Sequence, residues 1–137
     1  MKLFLDLSAL VKRYIHERGS PHVDELLRKA DAIMVSSLCL PEVISSFSRR
    51  RREKKMNADE YDLYKGYLLE DVAAFEICQL TPEVLSTTVN ILERSDLRAS
   101  DAIHVASAVQ VRAERFVSGD ARQIAAAKAF KLITETV

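Results

Sequence analysis

Met1 to Lys12, MKLFLDLSALVK, constrains the fold more than any other stretch, because a short apolar run meets a carboxylate and then the start of a helix. Lys2 to Leu5 is too short and too apolar for anything but a buried strand or one turn of a core helix. The Asp-x-Ser that follows favours a strand-to-helix junction, with Ser8 as the expected cap. Asp6 then ends a strand, at the edge of an open α/β sheet where ligands bind.

The rest of the chain repeats that alternation. Leu10, Val11, Tyr14 and Ile15 form a helical stripe that stops near Gly19, the expected C-terminal cap. Ser20, as cap, and Pro21 open a second helix that buries Val23, Leu26, Leu27 and Ala30. Ala32 to Val35 reads as a second strand, and Ser36 and Ser37 are expected to cap a third helix. There Leu40, Val43, Ile44 and Phe47 face the core, while Glu42, Ser45, Ser46 and Arg49 share another face. Asn57 and Glu60 form a capping pair for a fourth helix with Tyr61, Tyr64, Leu68 and Val72 inward, antiparallel to the third.

Ala74 to Leu80 reads as a third strand, and Thr81-Pro82-Glu83 starts a fifth helix that ends near Arg94. A sixth helix opens at Ala99 or Ser100, with Asp101 in its first turn and Ala102, Val105, Ala106 and Val109 buried. Arg115 to Ser118 is a fourth strand, Gly119 permits a tight turn, and Asp120 precedes an alanine-rich helix from Ala121 to Phe130. Leu132 and Ile133 make a weak fifth strand. The alternation implies one α/β domain over residues 1–137, with a parallel sheet covered by helices on both faces.

Twenty basic residues balance twenty acidic ones, so affinity for nucleic acid has to come from a local patch. Arg49-Arg50-Arg51-Arg52-Glu53-Lys54-Lys55 is such a patch. Three glycines in the whole chain exclude the glycine-rich phosphate loops. Cys39 and Cys78 have no metal-like or redox-like spacing and read as buried free thiols of a reducing compartment, which places the protein in the cytoplasm. Asp6 breaks the N-terminal apolar run, so it is not a signal peptide, and no segment is long enough to span a membrane.

Any one of twenty acids is uninformative alone. What stands out is position: Asp6 and Asp120 end strands, while Glu42 and Asp101 occupy early turns of helices. If the first and fourth strands are neighbours at the switch point of the sheet, all four converge on one crevice. Carboxylates about 5 Å apart repel by about 3 kcal/mol per pair at an effective dielectric near 20, so four need a cation to stay ionised. Oxygen donors without a Cys/His cluster fit Mg2+ (or Mn2+), and such a centre suits phosphodiester hydrolysis.

The same residues carry a family likeness. DLSALVK from Asp6 to Lys12, LPEV around Glu42, LRASDAIHVASA around Asp101 and FVSGD ending in Asp120 together resemble the PIN-domain ribonucleases, most closely the VapC-type toxins of toxin-antitoxin pairs. The resemblance spans nearly the whole chain, with its motifs in family order. It implies a three-layer α/β sandwich with a five-stranded parallel sheet in the order 3-2-1-4-5 and a magnesium- or manganese-dependent endoribonuclease. It also implies a cognate antitoxin, and a homodimer is compatible with it. Carried over by position, Asp6, Glu42 and Asp101 match the core acids and Asp120 the more variable fourth acid, as catalytic residues and metal ligands. Ser8 and Ser118 match polar supports. Leu7 replaces a common threonine after the first aspartate, and Ser118 replaces one before the fourth acid.

The basic run exceeds what a helix C-terminus needs, so Arg49, Arg50 and Arg52 are expected to bind RNA, with Arg49 two turns from Glu42. Arg98 could meet a substrate phosphate, although a solvated loop charge is its plainer reading. His104, on a helix beside apolar residues, reads as packing rather than as a partner of the acids or a proton carrier, and Tyr61, Tyr64 and Tyr67 as hairpin core or partner surface rather than base-stacking platforms. A phospho-receiver would want an acid after the third strand, where Cys78-Gln79-Leu80-Thr81 stands. A dehalogenase-type phosphatase would want Asp-x-Asp, where Ser8 holds the second place. The rival of another class is a catalytically silent PIN-like module that binds RNA or a protein.

Overall fold

Five short strands and seven helices alternate along the chain, and the computed structural model describes residues 1–137. They are β1 (Lys2–Leu5), α1 (Leu7–Tyr14), α2 (Ser20–Lys29), β2 (Ala32–Ser36), α3 (Cys39–Arg52), α4 (Ala58–Ala74), β3 (Glu76–Cys78), α5 (Pro82–Arg94), α6 (Ala99–Gln110), β4 (Arg115–Ser118), α7 (Ala121–Ala129) and β5 (Thr134–Thr136). The sheet has the order β3-β2-β1-β4-β5, and every pairing is parallel. After β3 the chain crosses back to β4 beside β1, which creates the switch point there.

Period-two alternation divides the apolar strand residues between two cores. Leu3, Leu5, Val35 and Val117 face one cluster with α1 to α4; Phe4, Met34 and Phe116 face the other, with α5, α6 and α7. Phe4 is in register with Phe116, and their rings stack at 6.1 Å between centroids. That pair fixes which residues come next: Leu5 pairs with Val117, Asp6 donates its N–H to the Val117 carbonyl at 3.2 Å, and Asp6 therefore lies beside Ser118. A slip of one residue in either strand would turn its phenylalanine to the wrong face.

Phe47 of α3 is fully buried, with Tyr14, Tyr61 and Tyr64 around its ring at 6.0–6.5 Å. Burying such a ring contributes about 1.5–3 kcal/mol and locks α3 against α1 and α4. Tyr61 and Tyr64 are thus core residues, whereas Tyr67 is exposed. The Asn57–Glu60 capping box of α4 is complete in both directions, and Thr81 caps α5.

Several local details differ from the sequence reading. Asp6, not Ser8, caps α1, accepting from the Ala9 N–H at 2.9 Å. Gly19, at φ 93°, precedes α2 instead of ending α1, and a Cβ there would lie 2.6 Å from the Val137 carbonyl carbon. Ser20 accepts from the Glu17 N–H, and Ser36 accepts from the Leu38 N–H, so neither caps its helix. β3 is shorter than Ala74 to Leu80, because Ala74 still belongs to α4 and Phe75 closes it. The fifth strand is Thr134–Thr136, not Leu132 and Ile133: Leu132 packs on the core and Ile133 is largely exposed. No helix is long and apolar enough to cross a membrane.

Candidate active site

At the carboxyl edge of β1, Asp6 is fully buried and its carboxylate is saturated with donors. Oδ1 accepts from the Ala9 N–H and from Ser8 Oγ at 2.8 Å; Oδ2 accepts from Ser8 Oγ at 2.9 Å, Ser118 Oγ at 2.6 Å and Gln123 Nε2 at 2.8 Å. Even so, burial holds the Asp6 carboxyl above its ordinary range, outweighing the pull of Ser118, Ala9 and Ser8 toward the anion.

Two serines tie this carboxylate to the end of β4. Ser8 Oγ accepts from the Gly119 N–H at 2.8 Å, and Ser118 Oγ accepts from the Asp120 N–H at 2.9 Å. Gly119 has no unusual backbone angle; what it supplies is room, since a Cβ would stand 3.1 Å from the Lys12 side chain. Asp120 caps α7, its Oδ1 accepting from the N–H groups of Arg122 and Gln123.

Asp101, in the first turn of α6, is joined to Asp6 through Gln123, whose Nε2 also reaches Asp101 Oδ1 at 3.4 Å. The Asp101 carboxyl is raised chiefly by burial, then by the neighbouring charges of Asp120 and Glu42, against the opposing influence of His104 and Arg98. Glu42 completes the group from the first turn of α3, its Oε1 2.6 Å from Nε2 of the buried His104. The four acids therefore meet at one edge. Cys39, just beneath, is a free thiol pushed up to about 12, first by burial and then by the charges of Glu42 and Asp6, and is inert.

The donors suit a hard divalent cation: all are carboxylates, and Glu42 Oε2, Asp101 Oδ2 and Asp120 Oδ2 take no hydrogen bond within the protein. They do not yet enclose an ion, since no three Asp, Glu, His or Cys side chains are gathered tightly enough to grip one. An amide of Gln123 stands between the two most central carboxylates instead.

On the Glu42 side, a cleft of about 220 Å³ is lined by Leu7, Glu42, Ser45, Ser46, Arg49 and Arg52. Arg49 also borders a second basic cleft with Arg50, Glu53 and Lys55. The basic run is not uniform. Arg50 lies 3.8 Å from Glu17, and Arg51 covers the Tyr61 ring at 5.0 Å. Arg98 is exposed at the N-terminus of α6, near enough to Asp101 to affect its charge.

Gln123 is the part that sequence reasoning missed, and His104, favoured there as packing, is buried as expected but also grips Glu42. One signal existed for Gln123: Asp120-x-x-Gln123 has the spacing of a capping box, in which the glutamine would reach back to the cap N–H. Ser118 Oγ already occupies that N–H, which leaves the Gln123 amide free to turn inward.

The model of the PIN domain family matches residues 3–129. Ribonuclease VapC45 of Mycobacterium tuberculosis strain CDC 1551 is 32% identical over 111 residues, covering 80% of this chain and 76% of that protein. Ribonuclease VapC49 of strain H37Rv matches to the same extent. Among solved structures, a chain of VapBC2 from Rickettsia felis, bound to a DNA fragment from its promoter, superposes with a TM-score of 0.70 at 17% identity, covering 100% of this chain and 99% of that one. Mycobacterium tuberculosis VapC20, a toxin that cleaves the sarcin-ricin loop, gives 0.70 at 16% identity over 90% and 94% of the two chains. At those identities the solved structures bear on fold alone.

Proposed function

Because this chain belongs to the PIN domain family, we propose that it is a divalent-metal-dependent endoribonuclease, acting as the toxin of a toxin-antitoxin pair. The observation that carries this reading is the meeting of Asp6, Glu42, Asp101 and Asp120 at one sheet edge, with free oxygens on three of them. Its support from relatives is that two proteins 32% identical to this chain are named ribonucleases.

Asp6 and Asp101, with Asp120 and Glu42, would hold Mg2+ or Mn2+, which when bound supplies a Lewis acid for water and the phosphodiester. The protein's own groups do the positioning. Ser8, Ser118 and the Ala9 N–H hold the Asp6 carboxylate in one rotamer. His104 holds Glu42 by Oε1, leaving Oε2 as the oxygen Glu42 would offer to the ion. Arg49 and Arg52, with Ser45 and Ser46, line a cleft with Glu42 and would take phosphates of the RNA strand. In a neutral protein with an acidic crevice, that flank has to draw the substrate in.

The antitoxin would use the same physics, laying a basic side chain among the four acids and anchoring on α3 and α4. Support comes from solved toxin-antitoxin complexes among the structural relatives, including one from Klebsiella pneumoniae with a TM-score of 0.67. One observation favours a second reading, a PIN-like module that binds RNA without cutting it: as arranged, no three ligands grip an ion.

Total cellular RNA incubated with purified, partner-free protein separates the two. Discrete fragments with manganese and none with EDTA are expected. RNA binding without fragments would identify the silent module, and cleavage that survives EDTA would remove the metal.

A further inference from the structure

Gln123 is 3% exposed, and its side chain is unevenly satisfied. Nε2 donates to Asp6 Oδ2 at 2.8 Å and Asp101 Oδ1 at 3.4 Å, while Oε1, enclosed by protein, has no partner at all. Buried amide oxygens almost always find a donor, so an orphan facing an acidic centre calls for a reason. The amide cannot turn over as things stand, because its oxygen would then confront two carboxylates.

The acids also need something Gln123 alone supplies. Asp6 follows β1 and Asp101 lies in α6, and no lysine or arginine donates a hydrogen bond to either. The two hydrogens of an NH2 group carry partial positive charge to the place where two carboxylates repel. A divalent ion would do the same job with full charge. The reciprocal capping bond that would have occupied this side chain elsewhere is absent, since Ser118 Oγ holds the Asp120 N–H.

We propose that the Gln123 amide is a stand-in for the divalent ion, tying Asp6 to Asp101 when no ion is bound and turning over when one is. On loading, the nitrogen gives up the carboxylates and Oε1 gains the positive or water-derived partner it lacks. The inference rests on the metal-dependent reading above. Its consequence is that amide and ion stabilise the same carboxylate pair as alternatives, so their contributions do not add.

The test compares the full-length protein with Gln123→Met, which keeps the length but has neither donor nor oxygen, by thermal unfolding in EDTA and in excess Mg2+. In EDTA the variant should melt about 2–8 °C below wild type, and Mg2+ should close at least half of that gap. The Gln123 side-chain NH2 resonances, assigned by their loss in the variant, should move as Mg2+ is titrated into wild type. If Gln123→Met fails to fold, Gln123→Glu serves: it should lose more stability in EDTA and gain more from Mg2+ than wild type does.

A gap of the same size with and without Mg2+, NH2 resonances that stay put while Mg2+ raises the wild-type melting point, or a Gln123→Glu gain no larger than that of wild type would overturn the proposal alone. A wild-type protein that Mg2+ does not stabilise would overturn it together with the metal-dependent reading.

Discussion

His104 Nε2 lies 2.6 Å from Glu42 Oε1 across 62 residues of sequence, and the other ring nitrogen, Nδ1, is buried with no partner. The imidazole is therefore committed to one contact, and it orients the only acid of the cluster that comes from α3.

Replacing that donor tests whether orientation matters. A hydrogen bond to a charged group is worth about 1.5–3 kcal/mol, so His104→Leu should lower RNA cleavage at least about tenfold. His104→Gln, which can place an amide N–H near the Nε2 position, should recover most of it. Equal loss in both variants, measured as initial rates with manganese, would mean that His104 only fills space.

Asp6 and Asp101 should separate in their folding behaviour while agreeing in activity. Either asparagine substitution should cost at least about a hundredfold in cleavage, the scale seen when a charge-stabilising group is lost. Asp6→Asn turns an NH2 into a pocket of donors built by Ser8, Ser118, Ala9 and Gln123, and should cost about 1–3 kcal/mol of stability. Asp101→Asn removes a charge beside Asp120 and Glu42 and should leave the ion-free protein as stable or more so. Urea unfolding of both variants in EDTA checks the order, and a destabilised Asp101→Asn would contradict it.

Stability of the ion-free protein should also depend on pH in a defined direction. The carboxyls of Asp6 and Asp101 are both raised by burial, so between the ordinary carboxyl pKa and the native one the folded chain holds more protons than the unfolded chain. Their contribution must then fall as pH rises from about 4 toward neutrality. The difference in unfolding free energy between wild type and Asp101→Asn isolates the Asp101 share, and it should shrink or change sign in favour of the variant as pH rises. Magnesium, which favours the ionised pair, should flatten that dependence.

The basic run should divide by position. Arg49 and Arg52 line the cleft with Glu42, whereas Arg50 is drawn to Glu17 and Arg51 to Tyr61. Arg49→Gln with Arg52→Gln should weaken RNA binding and reduce the slope of log affinity against log salt by about 1.4, at about 0.7 per charge for a single strand. Arg50→Gln should change it much less. Filter binding across a salt series reads both, and equal slopes in all three proteins would reassign the run to a solvated helix end.

Most of the sheet was legible because β1, β2 and β4 announce themselves locally. Lys2–Leu5 and Arg115–Ser118 are short apolar runs ending at a polar residue, and the parallel alternation with helices leaves few topologies. Serine caps were less legible, since a hydroxyl reaches whichever N–H tertiary packing brings near: Ser8 was claimed by Asp6 and Gly119, and Ser36 by Leu38. β5 misled because its Thr-Glu-Thr has no apolar pattern, while the apolar Leu132 and Ile133 sit just before it. Convergence of the four acids could be argued from their positions at strand ends and helix starts. Gln123 and the His104 contact could not, because both depend on which surfaces meet across the finished fold.

Asp6 meets Ser118 and Gln123 across 112 and 117 residues of chain. During synthesis the first acid leaves the ribosome long before the groups that hold it, and closing so large a loop is a late, entropically costly step of folding. A nascent chain that has already paired β1 with β2 still has neither its fourth acid nor the amide between the first and third. Whatever chemistry this edge performs is therefore withheld from the partly made protein by topology alone, and begins only when β4 and α7 have docked.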